Sequence, residues 1–255
     1  MKKNFIMTMG LSVLSASIFS QDLNTEVIEL NTSQILVESV LTKEEQQALT
    51  PQQVFESLQL GNERFVRSDL TARDHSVQIR ESVKAQYPKA MVLSCVDSRV
   101  PVEDVFDKGI GDIFVSRIAG NFVNKDILGS MEFATKVSGA KLILVLGHEN
   151  CGAIHAAIDD VKLGNITNML KNIRPAVKTS TLSEGPKTSD NRLFVHEVSE
   201  NNVKLTMQKI IENSLLIKEM VEKGEVEIRG AVYDMDTGVV NFLEDKIDME
   251  SIQVQ

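Results

Sequence analysis

Compact apolar runs punctuate the middle of the chain at intervals. Ala90 to Ser94, Ile113 to Val115 and Leu142 to Leu146 are short and rich in branched residues, the pattern of strands buried on both faces of a parallel sheet. Between and after them, the spacing of apolar positions predicts helices over Val102 to Phe106, Asp126 to Val137 and Ala153 to Val161, which gives the order βαβαβα. A long helix is expected over Asn201 to Lys223 and a fourth strand over Val226 to Tyr233. The turn Asp236-Thr237-Gly238 then leads into Val239 to Leu243 as a hairpin. Upstream, Thr50-Pro51-Gln52-Gln53 has the form of a capping box with proline at the first helical position. It starts an amphipathic helix that runs to about Arg67 through Val54, Leu58, Phe65 and Val66. Lys178 to Asn191, rich in Ser, Thr, Lys, Gly and Pro, reads as a surface loop. The expected fold is α/β, a central mostly parallel sheet flanked by helices, with an antiparallel C-terminal edge strand and an N-terminal helical arm.

The first twenty residues follow another rule. Lys2 and Lys3 precede an apolar stretch from Phe5 to Phe19, and Ser15, Ala16, Ser17 and Ser20 place small residues near its end, the layout of a signal peptide. Residues 21–49 scatter Val27, Ile28, Leu30, Ile35, Leu36, Val37 and Val40 among acids and amides, an arm with a helix from about Ser33. Residues 50–255 then form one catalytic domain. Residues 1–20 imply export, with a bacterial periplasm as the simplest destination, and no second stretch is long enough to span a membrane.

Composition narrows the function. With 27 Lys and Arg against 36 Asp and Glu, a net charge of −9, the chain lacks a surface suited to neutralising phosphates, so nucleic acid is not an expected partner.

The chain has two cysteines, Cys95 and Cys151, and in an exported protein one structural disulfide is a standing alternative. Each follows a predicted strand, at the edge where open α/β sheets form ligand crevices. His148 precedes Cys151 by three residues in Gly147-His148-Glu149-Asn150-Cys151-Gly152, so imidazole and thiolate can reach one ion from a strand-to-helix turn. Two thiolates and one imidazole suit Zn2+ and leave the fourth tetrahedral position open, where bound water has its pKa brought down to about 7. His155 shares a helical face with Cys151 and competes as a ligand; His75 and His196 rank below it. In Cys95-Val96-Asp97-Ser98-Arg99, strand alternation would point the sulfur, the carboxylate and the guanidinium one way. Arg99 could then hold Asp97 in a bidentate pair.

These two segments resemble the paired signature of β-class carbonic anhydrases. The likeness continues through Asp112-Ile113-Phe114-Val115-Ser116-Arg117-Ile118-Ala119-Gly120-Asn121 and Gly129-Ser130-Met131-Glu132-Phe133-Ala134 to the region of Tyr233, roughly residues 50 to 245. The resemblance implies zinc on Cys95, His148 and Cys151, and attack of zinc-bound hydroxide on CO2 to give bicarbonate and a proton. It also implies a homodimer or a larger assembly built from dimers. It assigns Asp97 and Arg99 to a dyad controlling the fourth ligand, Gln86 to orienting substrate, Phe114 to the CO2 pocket and the Gly152 N–H to a substrate hydrogen bond. Phe133 stands where many members carry Tyr. Val92 replaces the Trp of members that hold a regulatory bicarbonate together with the counterparts of Arg117 and Tyr233, which leaves those two residues structural here. Hydrolysis of another small linear molecule such as carbon disulfide, as in some relatives, is the rival within the same fold.

Overall fold

A computed structural model describes residues 39–181 and 185–244. The signal segment and the helix expected from about Ser33 lie outside these residues. Along the chain come α1 (Lys43–Ala48), α2 (Pro51–Val66), α3 (His75–Ser82), β1 (Ala90–Ser94), α4 (Val102–Val105), β2 (Ile113–Arg117) and α5 (Lys125–Glu132). There follow β3 (Leu142–His148), α6 (Gly152–Ile158), α7 (Gly164–Met169), α8 (Arg174–Thr179), α9 (Arg192–Asn213), α10 (Leu215–Glu222), β4 (Glu227–Tyr233) and β5 (Val240–Phe242). The sheet order is β2-β1-β3-β4-β5, parallel throughout except for β5.

Alternation along the strands divides the core. Met91, Leu93, Ile143, Val145, Ile228 and Val232 face one side and pack on Val203, Met207 and Ile210 of α9 and on Ile217 of α10. Val92, Leu142, Leu144, Leu146 and Ala231 face the other, against Val54, Phe55 and Leu58 of α2 and Val105 and Phe106 beside α4. Every residue of β1 and β3 is buried, which is why these strands appear in the sequence as unbroken apolar runs.

The order also explains where a site forms. From β1 the chain moves outward to β2, and from β3 it moves the opposite way to β4, so the connections diverge between β1 and β3. A crevice opens at the carboxyl ends of two strands related in this way.

Several elements differ from the sequence expectation. The long helix is two: α9 begins at Arg192, capped by Asn191, and ends at Ser214, whose extended backbone and hydroxyl cap α10 by accepting from Ile217 N–H. The helix expected over Asp126 to Val137 ends in a π-helical turn, Phe133–Val137. α1, α3, α7 and α8 are additional, six to eight residues each. The end of the expected arm packs on its own chain: Thr42 and Glu45 form a capping box, and buried Gln46 donates to the carbonyls of Pro88 and Ser138. The capping box of Thr50 and Gln53 is present as expected.

Candidate metal centre

Cys95 is the first residue after β1, His148 the last of β3, and Cys151 the N-cap of α6. All three are at most 3% exposed. One ligand atom from each comes together with all three within 4.8 Å of one another, and the two sulfurs are 3.9 Å apart. That separation is far beyond an S–S bond of about 2.05 Å. It matches the ~3.8 Å edge of a tetrahedron with metal–sulfur bonds near 2.3 Å. Both cysteines are free thiols, so the disulfide alternative fails.

The histidine is prepared for coordination by its tautomer. Its Nδ1 lies 2.8 Å from the carbonyl of Glu149, an acceptor only, so Nδ1 carries the proton and Nε2 presents a lone pair. Nε2 is buried with no hydrogen-bond partner. A buried acceptor left bare is costly, and a cation among the three donors satisfies it. The turn that brings Cys151 back beside His148 passes through Asn150 at φ 52°, a left-handed conformation that asparagine tolerates.

The sulfurs differ electrostatically. Cys95 is the thiolate, brought down to about 4 by a hydrogen bond from Cys151, with help from the N–H of Gly120 and against its own burial. Cys151 is pushed up first by giving that hydrogen bond and then by burial, although the N–H groups of Ile154 and Ala153 at the start of α6 oppose this. A second negative charge on the pair requires a cation between the sulfurs, which a zinc ion supplies.

The Asp97–Arg99 pair forms, by a route other than the one expected. The strand stops at Ser94, and Asp97 to Val100 make a turn in which Val100 N–H donates to the Asp97 carbonyl. Turn geometry, not alternation, aims the pair. Arg99 donates from Nε to Asp97 Oδ1 at 2.9 Å and from Nη2 to Oδ2 at 2.7 Å, and its backbone N–H adds a third bond at 3.0 Å. The guanidinium holds the carboxyl well below the usual carboxylate range, against partial burial. Asp97 Oδ2 stands 3.9 Å from His148 Nε2, beside the ligand set. Arg99 also reaches the Asn150 carbonyl at 3.4 Å, bridging the two ligand-bearing loops.

Arg117 is structural, as the replacement of Trp by Val92 implied: it donates from Nε to the Cys95 carbonyl at 2.8 Å and from Nη2 to the Asp97 carbonyl, fixing the loop. Gly152 opens α6, where its N–H has no intrahelical acceptor, and the space in front of its Cα is empty.

Two expected site residues are not assembled with these. Gln86 is exposed in the segment before β1, at the far end of that strand from Cys95. Phe114 pairs with Met91, four residues before Cys95 and so ~13 Å back along the strand. Phe114 instead meets Phe133 edge to face at 6.2 Å and lines a separate cavity of about 460 Å³ with Met91, Lys125 and Ser130. His155 is outside the ligand set; with Arg99, Asn150, Arg192 and Tyr233 it lines a cavity of about 360 Å³ next to the dyad. His196 pairs with Glu149 at 2.5 Å. Sequence reasoning missed the hydrogen bond from Gly120 N–H to Cys95 Sγ, at 3.4 Å, and the Asn202 amide that holds Gly120.

Residues 90–240 match the family model described as Carbonic anhydrase. The chain is 35% identical over 194 residues to Carbonic anhydrase 2 of Mycobacterium tuberculosis, covering 74% of this chain and 90% of that protein. Among solved structures it is similar to the Coccomyxa β-carbonic anhydrase in complex with acetazolamide, at TM-score 0.60 and 26% identity over 68% of this chain and 79% of that one. A tetrameric β-carbonic anhydrase of Sordaria macrospora shares the fold at TM-score 0.59 and 22% identity, over 66% of this chain and 86% of that one.

Proposed function

We infer that this chain, which belongs to the β-carbonic anhydrase family, catalyses the reversible hydration of CO2 to bicarbonate and a proton, using zinc held by Cys95, His148 and Cys151. The observation that carries this reading is the buried, unpartnered Nε2 of His148 converging with two free sulfurs. Zinc, when bound, supplies the Lewis acidity that makes water a nucleophile for CO2 near neutral pH.

The chain's own residues do the rest. Arg99 occupies both oxygens of Asp97, which keeps that carboxylate charged and turned toward the guanidinium. Asp97 Oδ2, the carboxylate oxygen nearest His148, accepts a hydrogen bond from the attacking water and so orients its lone pair. The free N–H of Gly152 donates to the substrate oxygen. Arg117 prevents the Cys95–Asp97 loop from drifting.

Substrate contacts by Gln86 and Phe114 call for a second copy of the chain. Among the described residues β2 is an edge strand, half-buried along Ile113 to Ser116, and Phe133 beside it is 50% exposed. Docking of two copies along β2 brings each copy's Gln86 and Phe114 toward the other's metal, and the tetrameric Sordaria protein is in keeping with an assembly. Residues 1–20 carry the sequence features of an export signal, so the enzyme acts outside the cytoplasm, in a bacterial periplasm. No described helix is long and apolar enough to cross a membrane.

The test is stopped-flow CO2 hydration by zinc-loaded protein at about pH 8.5, beside Cys95→Ala. The expected result is rapid hydration, with both zinc and activity lost in the variant. Zinc-loaded protein inactive toward CO2 but active on carbon disulfide would reassign the substrate.

A further inference from the structure

Gly120 follows β2 at φ 83°, a conformation that side chains rarely adopt, and a Cβ there would stand 2.3 Å from Ile173 Cδ1. The position therefore has to be glycine, and glycine alone leaves its peptide groups free to rotate. Yet its N–H must hold one direction, toward Cys95 Sγ at 3.4 Å. What holds it comes from α9. Asn202, 2% exposed in the middle of α9, donates from Nδ2 to the Gly120 carbonyl at 2.8 Å. A buried amide, 82 residues away in sequence, has no reason in helix propensity to stand there.

We propose that Asn202 is a positioning residue of the metal centre: by anchoring Gly120 it keeps an N–H on the Cys95 sulfur, limiting how much electron density that thiolate gives the metal and sustaining the metal's Lewis acidity. The proposal rests on the zinc reading of the site. Donors to metal-bound sulfur are outer-shell partners of the kind whose loss costs about 10–100-fold in metal affinity or activity.

Asn202→Leu keeps the branched shape and the number of heavy atoms and removes the donor. Ser199→Ala, which deletes a buried hydroxyl bonded only within α9, to the Val195 carbonyl, is the control for simple destabilisation. Full-length protein is loaded with cobalt(II), the sulfur-to-cobalt charge-transfer band is recorded, and zinc affinity is measured by competition with a chromophoric chelator. The expected result is a band moved to longer wavelength, zinc binding weakened ~10-fold and the pH–rate midpoint raised in Asn202→Leu, with none of these in Ser199→Ala. A lower melting temperature with the band, the midpoint and zinc affinity unmoved would reduce Asn202 to a packing residue. Wild-type protein with no charge-transfer band would instead sink the zinc reading itself.

Discussion

Arg99 decides what Asp97 does. With both carboxylate oxygens engaged at 2.9 and 2.7 Å, Asp97 is charged and held on the guanidinium. Arg99→Leu should release a bare carboxylate beside the ligand set and cut CO2 hydration ~10–100-fold with zinc still bound. Arg99→Lys should recover only part of the loss, since a point charge cannot grip both oxygens, and stopped-flow rates on the two variants check this. The dyad and the ligands were legible in the sequence because each lies in a short segment whose spacing carries the chemistry. Asn202 was not, because its hydrogen bond spans 82 residues and an asparagine within a helical stretch signals nothing by itself. Gln86 and Phe114 entered through resemblance alone, and the single chain keeps them at the wrong end of the strands.

At the scale of elements, one buried carboxylate joins pieces that packing alone would leave loose. Asp107, fully buried just beyond α4, takes Arg64 from α2 at 2.5 Å, Arg73 at 2.8 Å and both the N–H and the hydroxyl of Thr71. Burial, the largest single influence, would raise its pKa, but the bonds from Thr71, Arg64 and Arg73 together bring it down to about 2. A depressed carboxylate stabilises the fold fully above its unfolded pKa and loses that contribution as pH falls through the folded value. About 2–3 kcal/mol should therefore disappear between pH ~4 and ~2. Asp107→Asn should cost ~3–5 kcal/mol at neutral pH by leaving two partly buried guanidinium groups uncompensated, and should flatten that acid slope; urea titrations across pH read both. β1 and β3 were readable as apolar runs, their burial dictating composition, and β5 through the turn that precedes it. The break at Ser214 was not, since a serine fits a helix face as well as it caps one, and helices of six residues are too short to show a period.

For the whole molecule, sequence fixes which segments are strands but not their neighbours. The order β2-β1-β3-β4-β5 places Cys95 and His148 side by side, and the pairing of β1 with β3 turns two distant motifs into one site. It also leaves β2 at an edge with Phe133 half-exposed beside it. If two copies dock along β2 as proposed, Phe133→Asp should convert dimers to monomers in light scattering and lower activity while zinc content stays unchanged, because the three ligands lie on one chain and the proposed contacts of Gln86 and Phe114 would come from the other. Loss of zinc along with the dimer would contradict that division. The sulfurs of Cys95 and Cys151, 56 residues apart along the backbone, have a further meaning once one ion holds both. The ion becomes a cross-link that ties off a loop containing β2, α5 and β3 and removes conformational freedom from the unfolded chain, worth about 4 kcal/mol if it restrains like a covalent bridge. The durability of the fold is thereby tied to the supply of metal around it: an enzyme stripped of its ion loses a tether as well as a catalyst.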